Sequence, residues 1–179
     1  MKRKINVGKD LTETKTVFIH DIIFKGKRSI DWNKVEAYLK QYVGKVYKIE
    51  DYDDMIFIGS DFPDEYTHSN YTKILRGANA KAKANVVQGI PKLIEYATNK
   101  NFKENRKEKH NKDAKYGWYS YDVRVALPVF SENGKIERYN IFNVALIVRH
   151  AQNGKMYLYD IVKIKKETSN LFQSKDFTQ

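Results

Sequence analysis

Apolar and polar residues change their period along the chain, and the changes mark out its elements. In "TVFIHDIIF", residues 16–24, they alternate weakly, which predicts a strand or two before a turn at Lys25-Gly26-Lys27. "DWNKVEAYLKQYVG" follows, with Trp32, Val35, Tyr38, Leu39 and Tyr42 at helical spacing. Asp31 is placed to cap that helix and Gly44 to stop it. "KVYKIEDYDDMIFIGS" predicts two short strands joined at residues 51–54. Asp61 to Pro63 suits a turn or a helix start, residues 71–75 can be helical, and the Ala- and Lys-rich "ANAKAKANVVQG" is a strong helix former. Gly89 and Pro91 should break that helix before another, "PKLIEYATNK", which keeps the middle of the chain helical to about Lys100.

From Gly117 the period becomes two. "WYSYDVRVALPVF", "ERYNIFNVALIVRH" and "KMYLYDIVKIKK" predict an antiparallel meander of three strands, joined at "SENGK" and "AQNGK", whose Asn-Gly pairs favour tight reversals. Alternation assigns the faces. Tyr119, Tyr121, Val123, Val125 and Leu127 share one side with Phe142, Val144, Leu146 and Val148, and with Tyr157, Tyr159 and Ile161. That apolar side should pack on helices. The other side mixes Trp118, Arg124, Asn143, Arg149 and Asp160. The fold class expected is therefore α+β, with helices on one face of an antiparallel sheet ending in the meander. The expected division is a strand-like extension at 1–30, a single domain at 31–170 and a tail at 171–179.

Composition then narrows the function classes. The 179 residues carry 33 Lys and Arg against 22 Asp and Glu, a formal net charge of +11. Such an excess fits a polyanionic partner gripped through phosphate contacts. It also fits the usage of a Lys-rich, AT-rich genome, since 26 of the cations are Lys. With no Cys there is no disulfide and no thiolate metal site, which suits a reducing cytoplasm. No apolar run is long enough to span a bilayer, and no apolar segment follows the charged start as in a secretory signal. No partner in a membrane, no cofactor and no metal are expected.

The stretch "KENRKEKHNKDAKYGWYSYDVRV" joins a basic run to an aromatic strand. Of the four His residues, His110 alone has Arg106, Lys107, Lys109, Lys112 and Lys115 around it. Neighbouring cations favour a neutral imidazole. A neutral His among cations is what metal-free RNA cleavage needs: the base takes the 2′-OH proton, the oxygen attacks phosphorus and the cations stabilise the transition state. A solvated loop His with no role is the alternative. Arg124 and Arg149 read either as phosphate grips or as residues of a solvated sheet face ion-paired to Asp122 or Asp160.

The segments "DFPDEYTHSNYTKILRG", "AKAKANVVQGIPKLIEYATNK", "KHNKDAKYGWY" and "LYDIV" resemble the large polyvalent-protein-associated domains of phage and mobile-element polyproteins, over residues 33–170. Those domains are related to the phage-type barnase–EndoU–colicin–RelE-like nuclease group. The resemblance implies helices packed on an antiparallel sheet and metal-independent ribonuclease activity. Carried onto this chain, it makes His110 the general base, with Lys115 and Arg124 stabilising phosphate or the transition state. Tyr159 and Tyr121 would hydrogen-bond the substrate, and Arg149, Trp118 and Lys112 would bind it. The partners implied are RNA, or another polyanion, and an immunity protein; the place of action is the cytoplasm or a bacterial cell receiving the chain as a toxin-like effector. A non-catalytic module binding nucleic acid or protein is the alternative. Catalysis in this form requires His110 and Arg124 to converge on one cleft. Tyr121 and Tyr159 share the apolar face, so they reach that cleft only if a bulge intervenes.

Overall fold

The structure is a computed structural model that describes residues 5–9, 14–26 and 28–167. The expected tail at 171–179 and Lys27 of the expected first turn lie outside the described residues. The fold is α+β, with the sheet ordered β1-β2-β6-β7-β8-β4-β3. Its strands are β1 (Asn6–Lys9), β2 (Lys15–Phe18), β3 (Val46–Ile49), β4 (Asp54–Phe57), β5 (Thr98–Lys103), β6 (Trp118–Phe130), β7 (Ile136–His150) and β8 (Met156–Lys166). β5 pairs with β6 off the main path. The helices are α1 (Trp32–Leu39), α2 (Phe62–His68), α3 (Asn70–Ile74), α4 (Gly77–Val86) and α5 (Ile90–Glu95). None of the described helices is long and apolar enough to cross a membrane.

Local chemistry accounts for many of the boundaries. Asp31 caps α1 by accepting from the Asn33 amide at 3.2 Å, and α1 buries Val35 and Leu39. Ser69 caps α3 by accepting from the Thr72 amide at 3.2 Å. The meander turns close through Gly134 and Gly154 in the left-handed region, at φ 79° and 84°. Each donates its amide back to residue 131 or 151, at 2.9 Å. This is the three-residue reversal that places glycine after a type I turn.

Three expectations need correction. The sheet is mixed rather than antiparallel throughout: β2 runs parallel to β6 and β4 parallel to β8. Neither pair is consecutive in sequence, and long connections permit parallel entry where hairpins would not. The fifth helix ends at Glu95, not Lys100, and Thr98–Lys103 becomes β5 against the first half of β6. Helix-permissive Asn and Lys residues there are overridden by the free edge of β6.

The third correction concerns β8. Its register to β7 slips between Ile147 and Val148, and again between Asn143 and Ala145. Each slip inserts an extra residue, and Lys163 sits at φ 51°. An added residue shifts the alternation by one. Leu158 and Ile161 therefore both reach the core, joining Tyr121, Val123, Val125, Phe142, Val144 and Leu146 and the apolar sides of the helices. Amides freed by the bulges find other acceptors: Ile161 donates to Asp160 Oδ1 at 2.8 Å, and Ile164 donates to the Tyr71 hydroxyl at 2.8 Å. Beyond Tyr157, β8 pairs with no strand on its outer side among the described residues, and α2 and α4 pack against β8.

Candidate nucleic-acid interface

Strand β5 leads into the basic loop, and the loop folds back over the start of β6. Asn105 organises the turn, its side-chain oxygen accepting from the Lys107 amide at 3.1 Å and from Trp118 Nε1 at 3.4 Å. A single 3-10 turn at Glu108–His110 follows. Ala114, fully buried, donates to the His110 carbonyl at 2.9 Å, and Arg149 Nη1 donates to the Asp113 carbonyl at 3.0 Å. Gly117 then lets the chain re-enter the sheet at φ 97°; a Cβ there would stand 2.4 Å from the Phe102 ring and 2.9 Å from the Lys103 carbonyl. Only glycine permits that approach.

The result is a cleft of about 850 Å³ between this loop and α3. Trp118, Ser120, Ile147 and Tyr159 line it together with His110. Rings of His110, Trp118 and Tyr159 meet edge to face, with centroids 4.9–6.0 Å apart. Phe102 and Tyr119 form a second aromatic pair 5.3 Å apart, leaving their strands on the opposite face from Trp118, and Phe102 is 60 % exposed. Lys103, Arg106, Lys107, Lys109 and Lys163 line the same cleft, against Glu104 and a buried Asp160.

His110 is held by Asp113, with Nδ1 2.9 Å from Oδ2. Burial pushes the Asp113 carboxyl up, but the hydrogen bond from His110, its own backbone amide and the charges of His110 and Arg149 outweigh this and leave it below the usual carboxylate range. The Nδ1 proton faces Asp113 in the neutral imidazole, so Nε2 carries the free lone pair. Burial and the Glu65 carboxylate, to which its hydroxyl bonds, push Tyr159 up to about 12. Tyr159 is thus a neutral hydrogen-bonding group at ordinary pH.

The residues expected from sequence are divided among several places. His110, Trp118 and Tyr159 come together in the cleft, Tyr159 because the bulge at that residue turns it away from the core. Arg124 does not join them. It lies six residues along β6 from Trp118, about 20 Å at strand rise. Its guanidinium is engaged bidentately by Glu167 at 2.7 and 2.8 Å and donates to Thr16 at 3.1 Å. Convergence of His110 with Arg124 is not found; Arg124 is ion-paired, but buried and held by Glu167 rather than solvated and paired with Asp122 or Asp160. Tyr121 is fully buried on the core face, its hydroxyl donating to Asp54 at 2.6 Å. Lys115 is exposed outside the cleft, near the Tyr116 ring. Lys112 and Arg149 line a separate shallow hollow with Asp61 and Tyr157, where Arg149 stacks 4.4 Å above the Tyr157 ring.

Comparison with family models, curated proteins and solved structures finds no match for this chain.

Phe102 and Lys163, which line the cleft, and Asp113, which holds His110, are residues that sequence reasoning did not single out. Phe102 carried a signal, an isolated aromatic inside "NKNFKENRK", and Asp113 lies three residues after His110. Lys163 carried none, since a bulge places it. Among the described residues one group could gather a metal ion: Glu36, Asp64 and His68, whose ligand atoms lie within 4.8 Å of one another. It lies outside the cleft, and two of the three are exposed.

Proposed function

We propose that the chain binds single-stranded RNA in the cleft between the basic loop and α3. The observation that carries this reading is the edge-to-face cluster of Trp118, His110 and Tyr159 in a cleft lined by five cations, with Phe102, a ring 60 % exposed against Tyr119, among the lining residues. Covering an exposed ring with a base removes its apolar surface from water, a gain of about 25 cal/mol per Å². Bases stack on such rings with about 1–3 kcal/mol each, while Lys and Arg follow the phosphates. The test is anisotropy of labelled oligouridylate with wild type, Phe102→Ala and Trp118→Phe across a salt series. Phe102→Ala should weaken binding about 10-fold or more, and log affinity should fall linearly with log salt. Binding that ignores both Phe102 and salt overturns the reading.

The His110–Asp113 pair favours a second reading, cleavage of the bound strand without metal. Nε2 of His110 would take the 2′-OH proton, and the oxygen would attack the adjacent phosphorus. The leaving 5′-oxygen would depart with a proton, and a 2′,3′-cyclic phosphate would remain. Lys107, Lys109 and Arg106 would offset the charge that builds on phosphorus, the part first assigned to Arg124 and Lys115. Incubation with RNA and a chelator tests it. Cyclic ends from wild type, lost in His110→Ala and reduced in Asp113→Asn, are expected; intact RNA with wild type leaves a binding module.

A further inference from the structure

A second charged groove lies across α3 from the cleft. Its volume is about 840 Å³, and Lys25, Arg28, Lys73, Arg76 and Lys81 line it with no Asp or Glu among the lining residues. None of these five side chains has an ion-pair partner among the described residues, and all five are exposed. Glu36 and Asp64 face His68 at its rim, Asp31 lies between the lining residues Ile30 and Trp32, and Asp21 shares a neighbouring hollow with Lys25 and Lys81. α3 borders both hollows: Ser69, Asn70 and Tyr71 face the aromatic cleft, while Thr72, Lys73 and Leu75 face the basic groove. The helix is five residues long, about 7 Å, and Asn70, Lys73 and Ile74 are exposed along it.

We propose that the two hollows form one track, in which a polynucleotide stacked in the cleft crosses α3 and lays its backbone into the basic groove. This rests on the reading of the cleft as an RNA site. The chemistry differs between the halves. The cleft offers rings, and so takes bases. The groove offers five cations against two rings, Trp32 and His68, and so takes phosphates. Cations crowded together without carboxylates repel one another, and a polyanion relieves that repulsion. The ridge is short enough for a flexible strand to cross without losing contact.

The experiment compares labelled oligouridylates of about 5 and about 15 nucleotides, bracketing the size one groove holds, against wild type and the triple variant Arg28→Gln, Lys73→Gln, Lys81→Gln. Arg76 is left in place because it donates to the Lys73 and Leu75 carbonyls and closes α3. The long oligomer should bind wild type more tightly, and the triple variant should remove most of that gain, about 10-fold at moderate salt. The slope of log affinity against log salt should become shallower by about 2, at 0.7 per lost phosphate contact. The short oligomer should bind both proteins alike. If the short oligomer binds through Phe102 but length and the triple variant change nothing, the track is overturned while the cleft reading stands. If neither oligomer binds, both fail. Circular dichroism of the triple variant checks that its fold is intact.

Discussion

Replacing Asp160 by Asn should be among the more damaging single changes in this protein. Lys83 on α4 and Asp160 on β8 form an ion pair at 2.5 Å, with side chains 0 % and 5 % exposed. At that distance the gross attraction is about 7 kcal/mol for an effective dielectric near 20. Burial acts against both ions, pushing the carboxyl up and the ammonium down, and each partner's charge opposes this. The pair therefore adds little net stability, but either ion alone is costly. Removing one partner of such a pair costs about 3–5 kcal/mol. The Tyr66 and Tyr71 rings, 4.5 and 5.0 Å from the Lys83 ammonium, soften the loss and put Asp160→Asn at the lower end, about 3 kcal/mol. Lys83→Met should cost a similar amount at neutral pH. The double variant should cost about 1 rather than 6 kcal/mol, a coupling of about 5. Asn keeps an acceptor for the Ile161 amide, so the cycle isolates the charges. Urea unfolding followed by Trp fluorescence, extrapolated to water, supplies the four free energies. Acid adds a check. A carboxyl raised in the folded state contributes stability that is full below its unfolded value and is lost as pH rises through the folded one. Lys83→Met should thus recover stability as pH is lowered toward 4. Additive single effects, or an Asp160→Asn cost below about 1 kcal/mol, would refute the reasoning.

Other outcomes follow from the site. Arg124→Met should lower stability by about 2–3 kcal/mol, because Glu167 and Thr16 lose a charged donor, yet leave RNA affinity unchanged. A parallel loss of affinity would return Arg124 to the site. Gly117→Ala should cost about 1–3 kcal/mol in thermal or urea unfolding and weaken RNA binding, since its Cβ would displace the Phe102 ring. Tyr159, at about 12, binds its proton more tightly when folded. Its contribution is full below the unfolded value near 10 and is lost between about 10 and 12, so Tyr159→Phe should flatten stability over that window. Ultraviolet difference titration of the two proteins reads the same group directly.

Local sequence determined much of the fold because its causes act over a few residues. Alternation marked the three long strands, glycine after each type I turn marked their reversals, and Asp31 marked the start of α1. His110 and Trp118 could be singled out because a titratable group and a large ring stand beside a basic run. Tertiary structure decided what those residues do. Two bulges in β8 turn Tyr159 toward His110 and let Leu158 and Ile161 share the core, which no alternation in sequence can announce. The open edge of β6 drew residues 98–103 out of helix into β5 and so set Phe102 beside Tyr119. Arg124 was separated from His110 by strand rise and held by Glu167, 43 positions away. Patterns of period two or 3.6 report which side of an element is apolar. Which charges meet depends on pairings between distant segments, and those are settled only when the sheet closes.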